Sequence, residues 1–263
     1  MENYNRLWRF FFAVALIAIA VQQLIVGDIR PVIIPPAYPL WLQQGRLIFT
    51  WVLSLLMIAA CVLIVFELKA HAASILLGYV LLLFVFTLQL PYQLAHYPGH
   101  LGVWTDPLKE LSLAGGAFLV AASLPQYYDI PTPLRILSAL GRCFFCVTMI
   151  LFGIDHFLYP DFVKMLVPEW LPGNLFWTYF AGIALMLAGI AIIINVKTTL
   201  AATLLGIMIF LWLVMLHIPR AIADPNTGHG NELTSVFEAL AFSGIAFLIA
   251  GSHKKLSISK RYH

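Results

Sequence analysis

The sequence predicts an all-α integral membrane protein of eight transmembrane helices, arranged as two four-helix bundles of the same orientation with Pro-rich interfacial caps on the outer side. Three observations predict it. The chain is 62% hydrophobic and 10% charged, against roughly 25% charged residues in soluble domains. Its apolar segments are each close to the ~20 residues that carry an α-helix across a ~30 Å hydrocarbon core. Finally, the chain is written twice. QQLIVGDIRPVIIPPAYPLW (from Gln22) returns as DHFLYPDFVKMLVPEWLPGN (from Asp155), with Gln23 over His156, Pro35 over Pro168 and Pro39 over Pro172 at one ungapped offset (156 − 23 = 168 − 35 = 172 − 39 = 133). Further on, LQLPYQL (from Leu88) returns as LHIPRAI (from Leu216), and KELSLAGGAFLVAAS (from Lys109) as FEALAFSGIAFLIAGS (from Phe237). A repeat covering half the chain constrains architecture before any local reading does.

The apolar segments fall near residues 8–26, 46–66, 72–94 and 108–124 in a first unit (1–130), and 141–159, 174–195, 198–218 and 233–251 in a second (131–263). The first follows Arg6 and Arg9 as a signal peptide would. It aligns with the fifth, however, and is needed to complete a bundle, so a retained helix is expected. The fourth opens on Lys109 and Glu110 and must be shielded by neighbours. Short connections at 67–71 and 196–197 and a linker at 125–140 lie on one side. On the other lie the two long Pro- and Trp-bearing segments, read as caps seated where aromatic rings prefer to sit.

An even number of spans per unit gives both copies one orientation. The N-terminal side collects ten Lys and Arg, among them Arg6, Arg9, Lys69, Arg135, Arg142 and Lys197, against five on the other side, out of 15 in all. The positive-inside rule then places both termini in the cytoplasm; the membrane expected is a bacterial inner membrane. The net charge of +3 is modest. It sits mainly in the C-terminal HKKLSISKRYH tail, read as a cytoplasmic end near anionic lipid. Nothing points to nucleic acid, and oligomeric state is not legible. Three cysteines are too few for a disulfide framework. Cys143 and Cys146 form a C-x-x-C that reads as two small residues packed on a neighbouring helix, with a redox pair as the alternative; Cys61 is expected inside the second span.

Ionisable residues gather at the outer end of the second unit. Asp155 and His156 close the fifth span; His217 closes the seventh, with Arg220 a turn on. Asn226, His229 and Glu232 follow in the loop, and Glu238 lies in the first turns of the eighth span. Such groups are costly in or near a membrane and need mutual satisfaction or a ligand. The copies differ here. Gln23 stands for His156, Gln89 for His217 and Tyr92 for Arg220, whereas Glu110 matches Glu238. Gln holds a hydrogen-bonding shape; His can also exchange protons near neutral pH. The difference points to a task in the second unit. The structural alternative is that the histidines bond helix-terminal carbonyls while Asp155 pairs with Arg220 or Lys164. His156 and His217 with Glu232 or Glu238 would make a two-His, one-carboxylate metal set, but no within-helix spacing supports one, and no metal is expected.

Residues 141–252 resemble a DoxX-type four-helix membrane protein, and the first unit does so more loosely. The resemblance rests on GIDHF (His156), WLPG (Pro172), AGIALMLAG (Gly182, Gly189), MLHIPRAIADPN (His217, Asn226) and GHGNELTSVFEAL (Glu232, Glu238). The Glu found before the second-helix glycines in that family is replaced by Phe180-Ala181. The resemblance implies a component of a membrane-linked redox system. By resemblance, His156, His217, Asn226 and Glu232 are the positions carried over. In the reading the residues favour, the outer pocket of the second unit holds a quinone or a small sulfur compound, with His217 or His156 exchanging protons, Glu238 orienting an imidazole, and Arg220, Asp155, Asn226, Glu232 and His229 binding the ligand. A non-catalytic scaffold, a small-molecule carrier and a docking subunit for a soluble or membrane redox partner fit the same residues.

Overall fold

The computed structural model describes residues 2–36, 40–125, 131–225 and 227–259, with side chains except at 2–3, 40–41, 227–229 and 253–259. The calls on Asn226, on the His229 side chain, on Pro39, on the middle of the linker and on the side chains of the basic tail lie outside these residues.

All regular structure among the described residues is helical. The first half runs α1 (Glu2–Val26), α2 (Leu40–Gln43), α3 (Arg46–Val65), α4 (Ala70–Phe84), a π-helical turn (Val85–Gln89), α5 (Leu90–His96), a 3₁₀ turn (Leu101–Trp104) and α6 (Thr105–Ser123). The second runs α7 (Thr132–Leu158), α8 (Pro160–Lys164), α9 (Asn174–Ile193), α10 (Thr198–Trp212), a π-helical turn (Leu213–His217), α11 (Ile218–Ala223) and α12 (Thr227–Ser259). The halves match in detail: α3 and α9 have 20 residues each, α4 and α10 have 15, and each π turn has 5. The turns before α4 and α10 use the same device, with Glu67 and Lys69 in one and Asn195 and Lys197 in the other all at positive φ. Each π turn precedes a proline, Pro91 or Pro219. Proline lacks an N–H and crowds the carbonyl four residues back, and the wider turn relieves both problems.

Seven helices are long and apolar enough to cross a membrane, taking α4–α5 and α10–α11 as one each. Their outward faces are greasy: on α3, Leu47, Ile48, Trp51, Leu55 and Leu56 are all more than half exposed. The chain is therefore an integral membrane protein in character. The eighth long helix, α6, is not among the seven. It opens on Asp106, Lys109 and Glu110, and nearly every residue from Pro107 to Ser123 is buried. Shielding was expected, and α4, α7 and α12 supply it. A helix that meets no lipid has no need of a uniformly apolar sequence.

The helices do not pack as two separate bundles. They close one ring in chain order, α1–α3–α4–α6–α7–α9–α10–α12, and α12 returns to α1. Helices α6 and α12 also touch across the middle, so the first helix of each half lies along the last helix of the other. Small residues make this possible, since close helix approach in membranes relies on them. A Cβ on Gly115 of α6 would lie 2.6 Å from the Gly141 carbonyl oxygen of α7. Gly78 of α4 similarly receives the Phe118 ring, and Gly206 of α10 the Phe247 ring.

Two further differences have local causes. Helix α7 begins at Thr132, well inside the stretch expected to be linker; Pro131 stands at its N-cap and the buried Leu134 anchors its first turns. Cys146 is buried and its carbonyl oxygen lies 2.9 Å from where a Cβ on Gly189 would sit, whereas Cys143 is exposed; both are free thiols. The packing expected for the pair holds for Cys146 alone.

Candidate functional site

A cavity of about 690 Å³ opens within the second half, inside the ~300–1,000 Å³ range of small-molecule sites. Its walls are mostly apolar or aromatic: Met149, Phe152, Leu185, Ile209, Trp212 and Phe242 from the helices, with Phe162, Val163, Leu166 and Val167 from the cap around α8. Trp177 is fixed in the wall by donating from Nε1 to the Pro172 carbonyl at 3.1 Å. The cap is only partly folded inward: Val167 is buried, whereas Phe162, Met165 and Trp170 are exposed.

The polar end of the cavity collects Asp155, His156, His217, Arg220, Glu232 and Glu238, six of the residues singled out from sequence. Each is positioned by its helix. At the end of α7, the His156 Nδ1 lies 2.7 Å from the Phe152 carbonyl oxygen one turn back. His217 is the last residue of the second π turn and borders Lys109, Glu232 and Arg220; its Nδ1 is buried without a hydrogen-bond partner. On α12, Glu232, Ser235, Glu238, Ala239 and Phe242 all line the cavity, as helical spacing dictates for one face. Arg220 of α11 donates to Glu232 from Nε at 3.0 Å and from Nη2 at 2.5 Å, a bidentate pair.

Two expectations about partners fail. Asp155 pairs with neither Arg220 nor Lys164: Arg220 is held by Glu232, and Lys164 donates to Asp161 at 2.7 Å. Both Asp155 carboxylate oxygens lack a donor, although the residue is only 8% exposed. Nor does Glu238 orient an imidazole. Its Oε2 lies 2.8 Å from the Lys109 Nζ, which is 3.6 Å from Asp106. Lys109 belongs to α6, in the first half, and reaches into the cavity of the second.

That crossing was not legible in the sequence. Its one trace is that Lys109 aligns with Phe237, an unmatched charge in the middle of a well-matched segment. The 3₁₀ turn of the first half joins the wall as well. His100 stacks on Tyr159 with centroids 5.0 Å apart and planes 9° off parallel, and Gly102 and Val103 line the cavity behind them.

The corresponding region of the first half is filled by its own cap. Ile29, Arg30, Val32, Ile33 and Ile34 are at most 4% exposed. The two glutamines that stand for His156 and His217 hold this plug in place. Gln23 accepts from the Arg30 backbone N–H at 3.1 Å and donates to the Ser54 Oγ at 3.0 Å. Gln89 donates to the Pro31 carbonyl at 2.7 Å. Gln22, which stands for Asp155, donates to the Gly230 carbonyl at 2.8 Å and accepts from the Thr234 Oγ1 at 2.8 Å, tying α1 to α12.

Residues 145–236 match a family described as a domain of unknown function, DUF8561. The match runs from α7 into the first turns of α12 and so contains most of the cavity, but not Lys109 or Glu238. Neither the curated proteins nor the solved structures contain a match. Among the described residues, no three His, Cys, Asp or Glu side chains are grouped to hold a metal ion.

Proposed function

We propose that the chain crosses a bacterial inner membrane eight times as two DoxX-like four-helix units, with both termini cytoplasmic. In this reading the cavity of the second unit binds a lipophilic ring compound of the quinone class, and the protein is a component of a membrane-linked redox system. The carrying observation is the cavity itself: about 690 Å³, apolar-walled, with its hydrogen-bonding groups confined to one end. A ligand with a greasy body and a small polar head matches that distribution. A small sulfur oxyanion does not, because it would leave the aromatic walls unused and set its charge beside the unpaired Asp155 carboxylate.

The residues fit the head of such a ring. The His156 hydrogen bond uses Nδ1 and leaves Nε2 without one among the described residues, and the His217 Nδ1 is buried without a hydrogen-bond partner. A bound quinone supplies two-electron, two-proton chemistry, and a partner protein would carry the electrons. The chain's own residues exclude water through the cap and the His100–Tyr159 stack, position the ring against Trp177 and Trp212, and hold exchangeable protons on His156 and His217.

The recurrent helix lengths and π turns support the doubled unit, and the burial of α6 supports an eighth crossing. Purification in mild detergent tests the ligand reading: it expects co-extracted quinone, or a rise in Tm on adding a short-chain quinone or its reduced form. Protein with no extractable quinone and no such rise overturns it.

A further inference from the structure

We infer that the cavity selects a ring that donates hydrogen bonds, the hydroquinone form rather than the quinone, with His156 and Asp155 as its acceptors. The inference rests on the reading of the cavity as a site for quinone-class rings and adds the state of the ligand.

Acceptors and donors at the polar end are unequal. The His156 Nδ1 sits 2.7 Å from a backbone carbonyl oxygen. A carbonyl can only accept, so Nδ1 carries the proton, and in the neutral ring Nε2 presents a lone pair. Asp155 offers two carboxylate oxygens with no donor, and Glu238 a third in Oε1. Even a protonated Asp155 would keep an acceptor oxygen. Trp212, Asn231 and Ser235 also line the cavity with groups that can donate. Among its buried unpartnered side-chain atoms, however, all except the His217 Nδ1 are carboxylate oxygens, and the other buried donors are committed. Trp177 donates to the Pro172 carbonyl and the Thr178 Oγ1 to the Asn174 carbonyl. Lys109 is held by Glu238 and Asp106, and the Arg220 Nε and Nη2 by Glu232. His217, when neutral, contributes one donor and one acceptor and does not alter the balance.

The first half shows what a self-sufficient version of this position looks like. Gln22, in the place of Asp155, satisfies itself by one donated and one accepted hydrogen bond on α12. Asp155 cannot donate when ionised, and α6 offers it no donor. Buried acceptors without partners are costly, and a ligand with O–H groups removes that cost. The oxygens of a quinone only accept and would face other acceptors. The two hydroxyls of its hydroquinone donate. The aromatic wall accommodates either form, so the polar end makes the distinction.

The test compares three short-chain ligands on the full-length protein in detergent without oxygen: a hydroquinone, the matching quinone, and the hydroquinone dimethyl ether, which keeps the ring but has no donor. Calorimetric titration is expected to show the hydroquinone binding about tenfold or more tighter than the other two, the effect of one well-made hydrogen bond or more. His156→Phe and Asp155→Leu should each pull that ratio toward one. A wild-type ratio at or below one overturns the inference and leaves the quinone-class site standing. Binding of none of the three overturns that site as well. A matched alkylammonium that binds where the hydroquinone does not overturns the inference by making Asp155 a cation site. A ratio unchanged in both variants overturns the assignment of the two acceptors.

Discussion

The two halves solve one packing problem in opposite ways. In the first, the cap after α1 turns inward: Arg30, Ile33 and Ile34 are buried, and Gln23 and Gln89 grip the backbone at Arg30 and Pro31. In the second, the cap stays higher, and His156 and His217 border open space. The same helices, the same π turns and the same acidic residue on the central helix thus enclose chain in one case and a cavity in the other. The lesson concerns polar residues in membrane interiors. Where buried polar side chains grip the chain's own backbone, as Gln23 and Gln89 do, they are structural, even though the Gln89 Oε1 and both Glu110 oxygens stay without partners. Where several stay open around a cavity, they are available to a ligand.

The largest effect should come from the ion pair of Lys109 and Glu238, which links the halves at the cavity. Lys109→Met leaves the Glu238 carboxylate buried beside an apolar group, and removing one partner of such a pair costs about 3–5 kcal/mol. Unfolding titration should show this loss, and adding Glu238→Gln should return most of it. If the single variant unfolds like wild type, the link does not organise the cavity. Next comes the plug. Gln23→Leu deletes bonds to Ser54 and to the Arg30 backbone, and should cost about 1–3 kcal/mol without weakening ligand binding. His217→Gln should do the reverse, changing stability by less than about 1 kcal/mol while reducing binding about tenfold. Equal stability losses in the two variants would erase the distinction between the halves. A smaller and opposite effect is expected at Asp155. Because its carboxylate is buried without a donor, Asp155→Asn should raise the stability of the ligand-free protein by about 1 kcal/mol; destabilisation would mean that the charge has a structural partner. Smallest is Cys143→Ser, on an exposed site, which should lie within about 0.5 kcal/mol of wild type. Thiol titration of the wild type should find Cys143 reactive.

Much of this was readable in the residues. Apolar length located each long helix, although α7 and α12 extend well beyond their apolar segments, and internal alignment paired Gln23 with His156 and Gln89 with His217, the pairs that separate plug from cavity. The C-terminal position of His156 on α7 also anticipated its bond to a carbonyl one turn back. What escaped was long-range. Neither hydropathy nor alignment says that α1 lies on α12 rather than on α6, because both helices carry the small residues such packing needs. For the same reason Lys109 was read as a shielded charge and not as part of the second half's cavity. The inward turn of the first cap was missed because both caps are similarly rich in Pro and apolar residues; they differ in the glutamines that hold one of them down.

The closure of the ring by α1 and α12 bears on how the chain is made. Helix α1 is made long before α12, the neighbour it packs against. The Gln22 bonds to Gly230 and Thr234, and the stacking of Trp8 on Phe247 at 4.2 Å, cannot form until α12 has been made. Throughout that interval α1 has α3 beside it, but the face that will meet α12 is bare. Biogenesis of this protein is therefore a matter of holding one helix in reserve, and a chain cut before α12 leaves α1 without its partner.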